Sequence, residues 1–225
     1  MTSPPVLIIA EAGVNHNGKR DLAFSLIDAA RDAGADFVKF QSFNATRLAS
    51  KTAPKARYQL AKTDAAQSQL EMLKALELPK EWHADLQRHA NQIGITFIST
   101  AFDLESLNFL NTLDLPFYKI PSGEITNALL LWHFARTGKK VILSTGMATL
   151  SEVEQALAIL AHGMTHHHMP ANLSETWETY ATDDALQLLA ERVTILHCTS
   201  QYPTPMCEVN LRSMQTLRDT FHLPV

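Results

Sequence analysis

The sequence predicts an α/β fold of about six strand-then-helix units, a pattern compatible with an incomplete (β/α)8 barrel. Three observations lead there. Short apolar runs alternate with longer amphipathic stretches, glycine falls between helix ends and strand starts, and polar residues gather at one end of almost every strand. Repeated strand-then-helix units imply parallel strands joined by right-handed crossovers. An open doubly wound sheet shares this pattern with a closed barrel. The first strand leads into Ala10-Glu11-Ala12-Gly13 and not into a G-x-G-x-x-G fingerprint, which weighs against a dinucleotide fold.

The elements follow in order. Val6-Leu7-Ile8-Ile9-Ala10 reads as a strand buried on both faces. From Lys19, residues Leu22, Leu26, Ile27 and Ala30 recur at helical spacing, and Gly34 stops the run. Phe37-Val38-Lys39-Phe40 is the second strand. Trp82, Leu86 and Ala90 mark a helix that stops at Gly94, before the strand Thr96-Phe97-Ile98-Ser99. Leu104, Leu107 and Leu110 mark the next helix, before Phe117-Tyr118-Lys119-Ile120. A helix from Leu129 to Ala135 ends near Gly138, and Val141-Ile142-Leu143-Ser144 is the fifth strand. Ser151-Glu152-Val153-Glu154 fits a capping box opening a helix through Ile159. Val193-Thr194-Ile195-Leu196 is the sixth strand, and Leu211, Met214, Leu217 and Phe221 mark the last helix. Two stretches, Phe43 to Gln67 and His162 to Thr182, depart from the spacing as polar connections. His166-His167-His168 is read as a biased run in a loop. Strict adjacency does not place ligands on one helix face, and no carboxylate or Cys–His pattern accompanies the run.

Composition bounds the function. The 225 residues, 46% hydrophobic and 19% charged, suffice for one domain with a full core or at most two small ones. A net charge of −4 excludes a strongly basic nucleic-acid footprint. No run approaches the roughly 18 apolar residues of a membrane span. Met1 to Val6 has no basic, then apolar, leader pattern, so a cytoplasmic location is expected. Cys198 and Cys207 are too few for a disulfide scaffold.

The strand ends carry Glu11 and Asn15-His16-Asn17; Lys39 and Gln41; Thr100 and Asp103; Lys119, Ser122 and Glu124; Ser144 and Thr145; and His197, Ser200 and Tyr202. In a parallel barrel such ends meet at one mouth. Loops are polar everywhere, so Asp103 or His16 alone says little. Lys39 and Lys119 say more, because each lies inside an apolar run and an unpartnered buried ammonium is costly. With Thr100, Ser122 and Ser144 they suit a phosphate and a carboxylate. Glu11 and Glu124 suit proton transfer or the orientation of water. Two chemistries stay open: a lysine that forms a Schiff base, and two cations that hold an anionic substrate. Cys198 beside His197 is read as a small packed residue, since neighbours on a strand face opposite sides.

Ile9-Ala10-Glu11-Ala12-Gly13-Val14-Asn15-His16-Asn17-Gly18 resembles the opening motif of the sialic acid synthase family. Val38-Lys39-Phe40-Gln41, Ser99-Thr100-Ala101-Phe102-Asp103, Lys119-Ile120-Pro121-Ser122-Gly123-Glu124, Leu143-Ser144-Thr145-Gly146-Met147 and His197-Cys198-Thr199-Ser200-Gln201-Tyr202-Pro203 are similar to later family blocks, in order. The resemblance implies a catalytic TIM-type barrel over residues 1–225, truncated before its seventh and eighth strands, with the family's C-terminal antifreeze-like domain absent. Leu223-Pro224-Val225 repeats the approach of Leu115-Pro116 to the fourth strand, so Val225 reads as the start of an unfinished seventh.

The implied reaction condenses phosphoenolpyruvate with an N-acetylated mannose-type aldehyde. Water adds, phosphate leaves, and a nine-carbon 2-keto acid results. By the same resemblance Lys39, Thr100, Lys119, Ser122 and Ser144 hold phosphoenolpyruvate. Glu11 sits beside the reacting carbons, Glu124 activates water or moves a proton, and Gln41, Ser200 and Tyr202 shape the sugar site. Ser200 stands where some relatives have Asn. A divalent metal, Mn2+ or Mg2+, is implied, with histidine ligands beyond residue 225, as is a homodimer. No nucleic-acid or membrane partner is expected. The alternatives are another phosphoenolpyruvate-condensing or aldolase-type barrel, and a non-catalytic fragment or binding module.

Overall fold

A computed structural model describes residues 6–55, 68–201 and 203–225, and the chain divides into two compact units, Met1–Leu115 and Pro116–Val225. The first holds β1 (Ile9–Gly13), α1 (Arg20–Asp32), β2 (Phe37–Ser42), α2 (Ala45–Leu48), α3 (Gln69–Ala75), α4 (Lys80–Ile93), β3 (Thr96–Ala101) and α5 (Leu104–Leu110). The second holds β4 (Phe117–Ile120), α6 (Ala128–Arg136), β5 (Lys140–Ser144), α7 (Leu150–Thr165), α8 (Leu173–Tyr180), α9 (Asp183–Arg192), β6 (Val193–Leu196) and α10 (Arg212–Phe221). Each unit contains a parallel three-stranded sheet in sequential order, β1-β2-β3 and β4-β5-β6. The α/β class and the parallel strands therefore stand. The ladders among the described residues make two open sheets and do not close a barrel.

Side-chain alternation gives each sheet two unlike faces. In the first unit Val38, Phe40 and Phe97 are buried, with Phe40 stacked on Phe97 at 5.6 Å between ring centroids. Ser42 and Ser99 share that face and meet His83 of α4. The carbonyl of Pro79 can only accept, so His83 Nδ1 donates to it at 3.0 Å. Nε2 then accepts from the Ser42 hydroxyl at 2.7 Å, which accepts in turn from Ser99 at 2.8 Å. Burial holds His83 neutral, its pKa pushed down to about 4. In the second unit Tyr118, Ile120, Val141, Leu143, Val193 and Ile195 form the buried face, with Tyr118 against Phe134 of α6. Gly94 ends α4 at φ +80°, where its N–H reaches the carbonyls of Ala90 and Asn91, a left-handed cap that a Cβ would strain.

Three expectations change. The first strand starts at Ile9, and Val6, Leu7 and Ile8 are 81%, 62% and 53% exposed. β1 pairs with β2 alone, so among the described residues nothing covers that apolar stretch. The capping box of α7 is Thr149 with Glu152, not Ser151 with Glu154, and the helix runs past Ile159 to Thr165. Its Thr149 hydroxyl accepts from Glu152 N–H while the Glu152 carboxylate accepts from Thr149 N–H. The stretch from His162 to Thr182 is largely helical, since α8 and its Asn172 cap lie within it. The Phe43 to Gln67 stretch contains α2, and its residues 56–67 lie outside the described residues.

Two outcomes follow. Thr149→Ala is expected to cost ~1 kcal/mol in denaturant unfolding, and Ser151→Ala less than about 0.5 kcal/mol; the reverse order would return the cap to Ser151. His83 resists a proton that the unfolded ring takes, so its contribution is full above pH 6.5 and is lost as pH falls toward 4. His83→Gln should flatten the pH dependence of unfolding in that window, and an unchanged slope would assign it to other groups.

Candidate active site

The first unit builds its polar face around a bulge. Glu11 pairs in register with Lys39, but Gly13 pairs with Phe40, so Ala12 is the extra residue. Gly13 sits at φ +54°, and a Cβ there would lie 3.0 Å from Glu11 Oε1. Glycine thus leaves room for the carboxylate where it turns to Lys39, with which it forms an ion pair. The Lys39 side chain is 8% exposed and that of Glu11 51%. The carboxylate faces water on one side and neutralises a buried ammonium on the other.

Gln41 and Thr100 are register partners on β2 and β3 and fall on this same face. Gln41 Nε2 lies 3.7 Å from the position a Gly13 Cβ would take, next to the carboxylate. Thr100 Oγ1 is buried without a hydrogen-bond partner. Such a hydroxyl costs about 1–3 kcal/mol until something satisfies it. Glu11, Lys39, Gln41 and Thr100 are therefore brought together as one polar face, away from the His83 side.

Two other strand-end residues have structural roles. Asp103 caps α5 by accepting from Ser106 N–H at 2.9 Å, and its second oxygen accepts from Asn44 N–H at 3.0 Å. His16 is fully buried against Phe40 and Trp82. Its Nδ1 accepts from Gly18 N–H at 3.1 Å, burial lowers its pKa, and its Nε2 has no partner.

In the second unit Lys119 is in register with Ile142, and Ser144 follows two residues later on the same face, the one opposite Tyr118. Ser122 opens a 3-10 turn, Ser122–Glu124. A Cβ on Gly146 would lie 3.1 Å from Ser122 Oγ and 3.0 Å from Cys198 Sγ. The Gly146 N–H donates to Cys198 Sγ at 2.9 Å, so this cysteine is a packed acceptor. His197 turns elsewhere, donating through Nε2 to the Val209 carbonyl at 2.7 Å. Glu124 accepts from Asn127 Nδ2 at 2.8 Å, and Asn127 caps α6 through its Oδ1, which accepts from Leu130 N–H. Met147 holds φ +64° with its side chain 77% exposed, bending the chain at once after Gly146. A cavity of about 250 Å³ opens by these strand ends, lined by Thr145, Leu150, His197, Cys198, Ser213 and Leu217. Ser200 is exposed in the loop after β6 and joins neither group; Tyr202 lies outside the described residues.

The close approaches at Gly13 and Gly146 were missed by sequence reasoning, whose only signal was a glycine after a strand. Among the described residues the metal-type ligands that converge are His162, His168 and Glu175, each with an atom within 4.8 Å of the others. They lie at the end of α7, in the connection after it and at the start of α8, not at strand ends.

The NeuB family profile matches residues 26–225. The chain is 48% identical over 219 residues to the N,N'-diacetyllegionaminic acid synthase of Campylobacter jejuni subsp. jejuni serotype O:2, a match covering 97% of this chain and 59% of that protein. It is 45% identical over 224 residues to the N,N'-diacetyllegionaminic acid synthase of Legionella pneumophila subsp. pneumophila, covering 100% and 57%. The chain thus spans less than two thirds of the length of these relatives. A crystal structure of N-acetylneuraminic acid (sialic acid) synthetase from Leptospira borgpetersenii serovar Hardjo-bovis, in complex with citrate, matches at a TM-score of 0.74 and 30% identity, over 98% of this chain and 64% of that one.

The ion pair is asymmetric, and its two halves should differ on removal. Glu11→Gln leaves a buried ammonium and is expected to cost about 1–3 kcal/mol. Lys39→Met leaves a solvated carboxylate and is expected to cost less than about 1 kcal/mol. Equal costs in denaturant unfolding would show that Lys39 does not depend on Glu11.

Proposed function

This chain belongs to the NeuB family, and from that premise we propose that the intact protein is a nonulosonate synthase condensing phosphoenolpyruvate with an N-acetylated mannose-type aldehyde sugar. Residues 1–225 are assigned to the first six βα units of a catalytic TIM-type barrel, ahead of the last two units and the antifreeze-like domain. One observation carries the reading: a buried lysine, paired with a half-exposed glutamate, shares a face with a buried threonine hydroxyl that lacks a partner. That face offers charge and a free hydroxyl to an anion with several oxygens.

In this reading Lys39 and Thr100 of the first unit, and Lys119, Ser122 and Ser144 of the second, hold the phosphate and carboxylate of phosphoenolpyruvate. C3 of the enolpyruvate forms a bond to the aldehyde carbon, whose oxygen takes a proton. Positive character develops at C2, where the Glu11 carboxylate stabilises it. Water then adds at C2, with Glu124 accepting its proton. The C2–O bond to phosphate breaks, phosphate leaves with the electron pair and carries off the C2 hydroxyl proton, and the 2-keto group forms; the proton on Glu124 replaces the one taken up by the aldehyde oxygen. Gln41, Ser200 and Tyr202 contact the sugar. The relatives that make N,N'-diacetyllegionaminic acid favour a diacetamido sugar as the acceptor.

A divalent metal, Mn2+ or Mg2+, would supply Lewis acidity toward the aldehyde oxygen. The described strand-end residues include no converging set of histidines or carboxylates. The metal's histidine ligands are assigned to sequence beyond residue 225. A cytoplasmic homodimer completes the proposal; no helix among the described residues is long and apolar enough to cross a membrane.

Assay of the intact protein with phosphoenolpyruvate, Mn2+ and a panel of N-acetylmannosamine and 2,4-diacetamido-trideoxy hexoses should release phosphate with a diacetamido member. No release with any member contradicts the proposal. Glu124→Gln should lower turnover by at least about 100-fold while phosphoenolpyruvate binding persists. Full turnover in that variant removes Glu124 from the reaction.

A further inference from the structure

The connection between α7 and α8 gathers side chains that the proposed reaction does not use. His162 lies in the last turn of α7 and is fully buried. His166 stacks on it, ring centroids 4.5 Å apart and planes 10° from parallel, and His168 meets it edge-on at 5.3 Å. Glu175 lies in the first turn of α8, with Oε1 2.7 Å from His168 Nε2. Its other oxygen accepts from the Ala171 backbone N–H at 2.7 Å, which fixes the carboxylate.

His162 can hold its proton on either nitrogen. The His168 carbonyl can only accept, so Nε2–H donates to it across 3.2 Å while Nδ1 accepts from Thr179 Oγ1 at 3.1 Å. When the proton moves to Nδ1, that N–H donates to Thr179 Oγ1, whose own proton goes to the Glu175 carbonyl at 2.9 Å, and Nε2 is free to ligate. A ring whose outer nitrogen donates to a fixed partner is the arrangement that orients metal-binding histidines. The C-terminal end of α7 adds a favourable field for positive charge.

We propose that His162, His168 and Glu175 bind a divalent transition ion of the zinc class, which ties the end of α7 to the start of α8. Two imidazoles and one carboxylate suit zinc, cobalt or nickel, and leave one position for water. They do not suit magnesium or calcium, which prefer oxygen. On binding, the ion takes the place of the proton between His168 Nε2 and Glu175 Oε1, and the His168 ring shifts its proton to Nδ1. His167 is no ligand: its Nδ1 is 2.7 Å from the guanidinium of Arg136.

The test uses tag-free intact protein stripped with a chelator and titrated with Zn2+, and separately with Co2+ for its visible spectrum. Because the intact protein can hold other metal, the readout is a difference. Wild type should bind one more equivalent of Zn2+ than the His168→Ala/Glu175→Gln double variant, melt at a higher temperature with Zn2+, and give a cobalt spectrum that the double variant lacks. Each single variant should bind that equivalent at least tenfold more weakly, and His167→Ala should match wild type. Both altered positions are at the surface, which avoids unfolding the buried His162. Equal zinc stoichiometry in wild type and double variant, or loss of binding in His167→Ala, overturns the proposal. Synthase activity enters none of these readouts, so failure here leaves the proposed reaction standing.

Discussion

An ammonium group buried in a parallel sheet must be neutralised where it lies, and the first unit is organised around that requirement. Lys39 sits in the middle of β2, and Glu11 reaches it from β1 across a bulge. Ala12 takes up an extra position: in a straight register Gly13 would face Gln41, and the bulge brings it to Phe40 instead. Without glycine at position 13, a Cβ would crowd the carboxylate oxygen. The pair in turn sets which face Gln41 and Thr100 present, because side chains on a strand alternate. The polar face proposed to hold an anion thus follows from one charge placed in an apolar run.

The two faces of the first sheet divide the work. On one, Ser42, Ser99 and His83 satisfy each other in a closed chain of hydrogen bonds, so that polar atoms can be buried at little net cost. On the other, Thr100 Oγ1 is left without a partner. An unsatisfied hydroxyl beside a buried ion pair can donate to a ligand, whereas the unsatisfied His16 Nε2 is enclosed by Phe40 and Trp82. The second unit shows the same division more faintly. Its buried face is wholly apolar, while Lys119 and Ser144 stand opposite, and Ser122 packs by Gly146.

Much of this was legible in the sequence. The strands from Phe117 to Ile120 and from Val193 to Leu196 coincide with β4 and β6, because apolar runs bounded by turns leave little freedom of register. Lys39 announced itself as a charge among Val38 and Phe40. Other features were not legible, for physical reasons. Thr149 and Ser151 both stand three residues before a glutamate, and which one caps α7 depends on where the preceding loop releases the chain. The bulge at Ala12 depends on pairing with a strand almost thirty residues away. The three adjacent histidines looked unsuited to metal because adjacency scatters ligands. Their partners, His162 and Glu175, arrive from two helix ends, which a local reading does not join. Val6 to Ile8 are apolar yet exposed, since hydropathy alone does not say whether a second strand covers an edge.

In the proposed reaction Lys39 and Lys119 hold the anionic enolpyruvate and do not act as nucleophiles. Lys39 is held in an ion pair with the Glu11 carboxylate, whereas a Schiff base needs an amine free to attack a carbonyl. Borohydride reduction of the intact protein, incubated with phosphoenolpyruvate and its sugar, tests this most directly. Mass spectrometry of the peptides containing Lys39 and Lys119 should show both lysines unmodified, while phosphate and keto acid form in equal amounts. A reduced pyruvyl adduct on either lysine would contradict the claim.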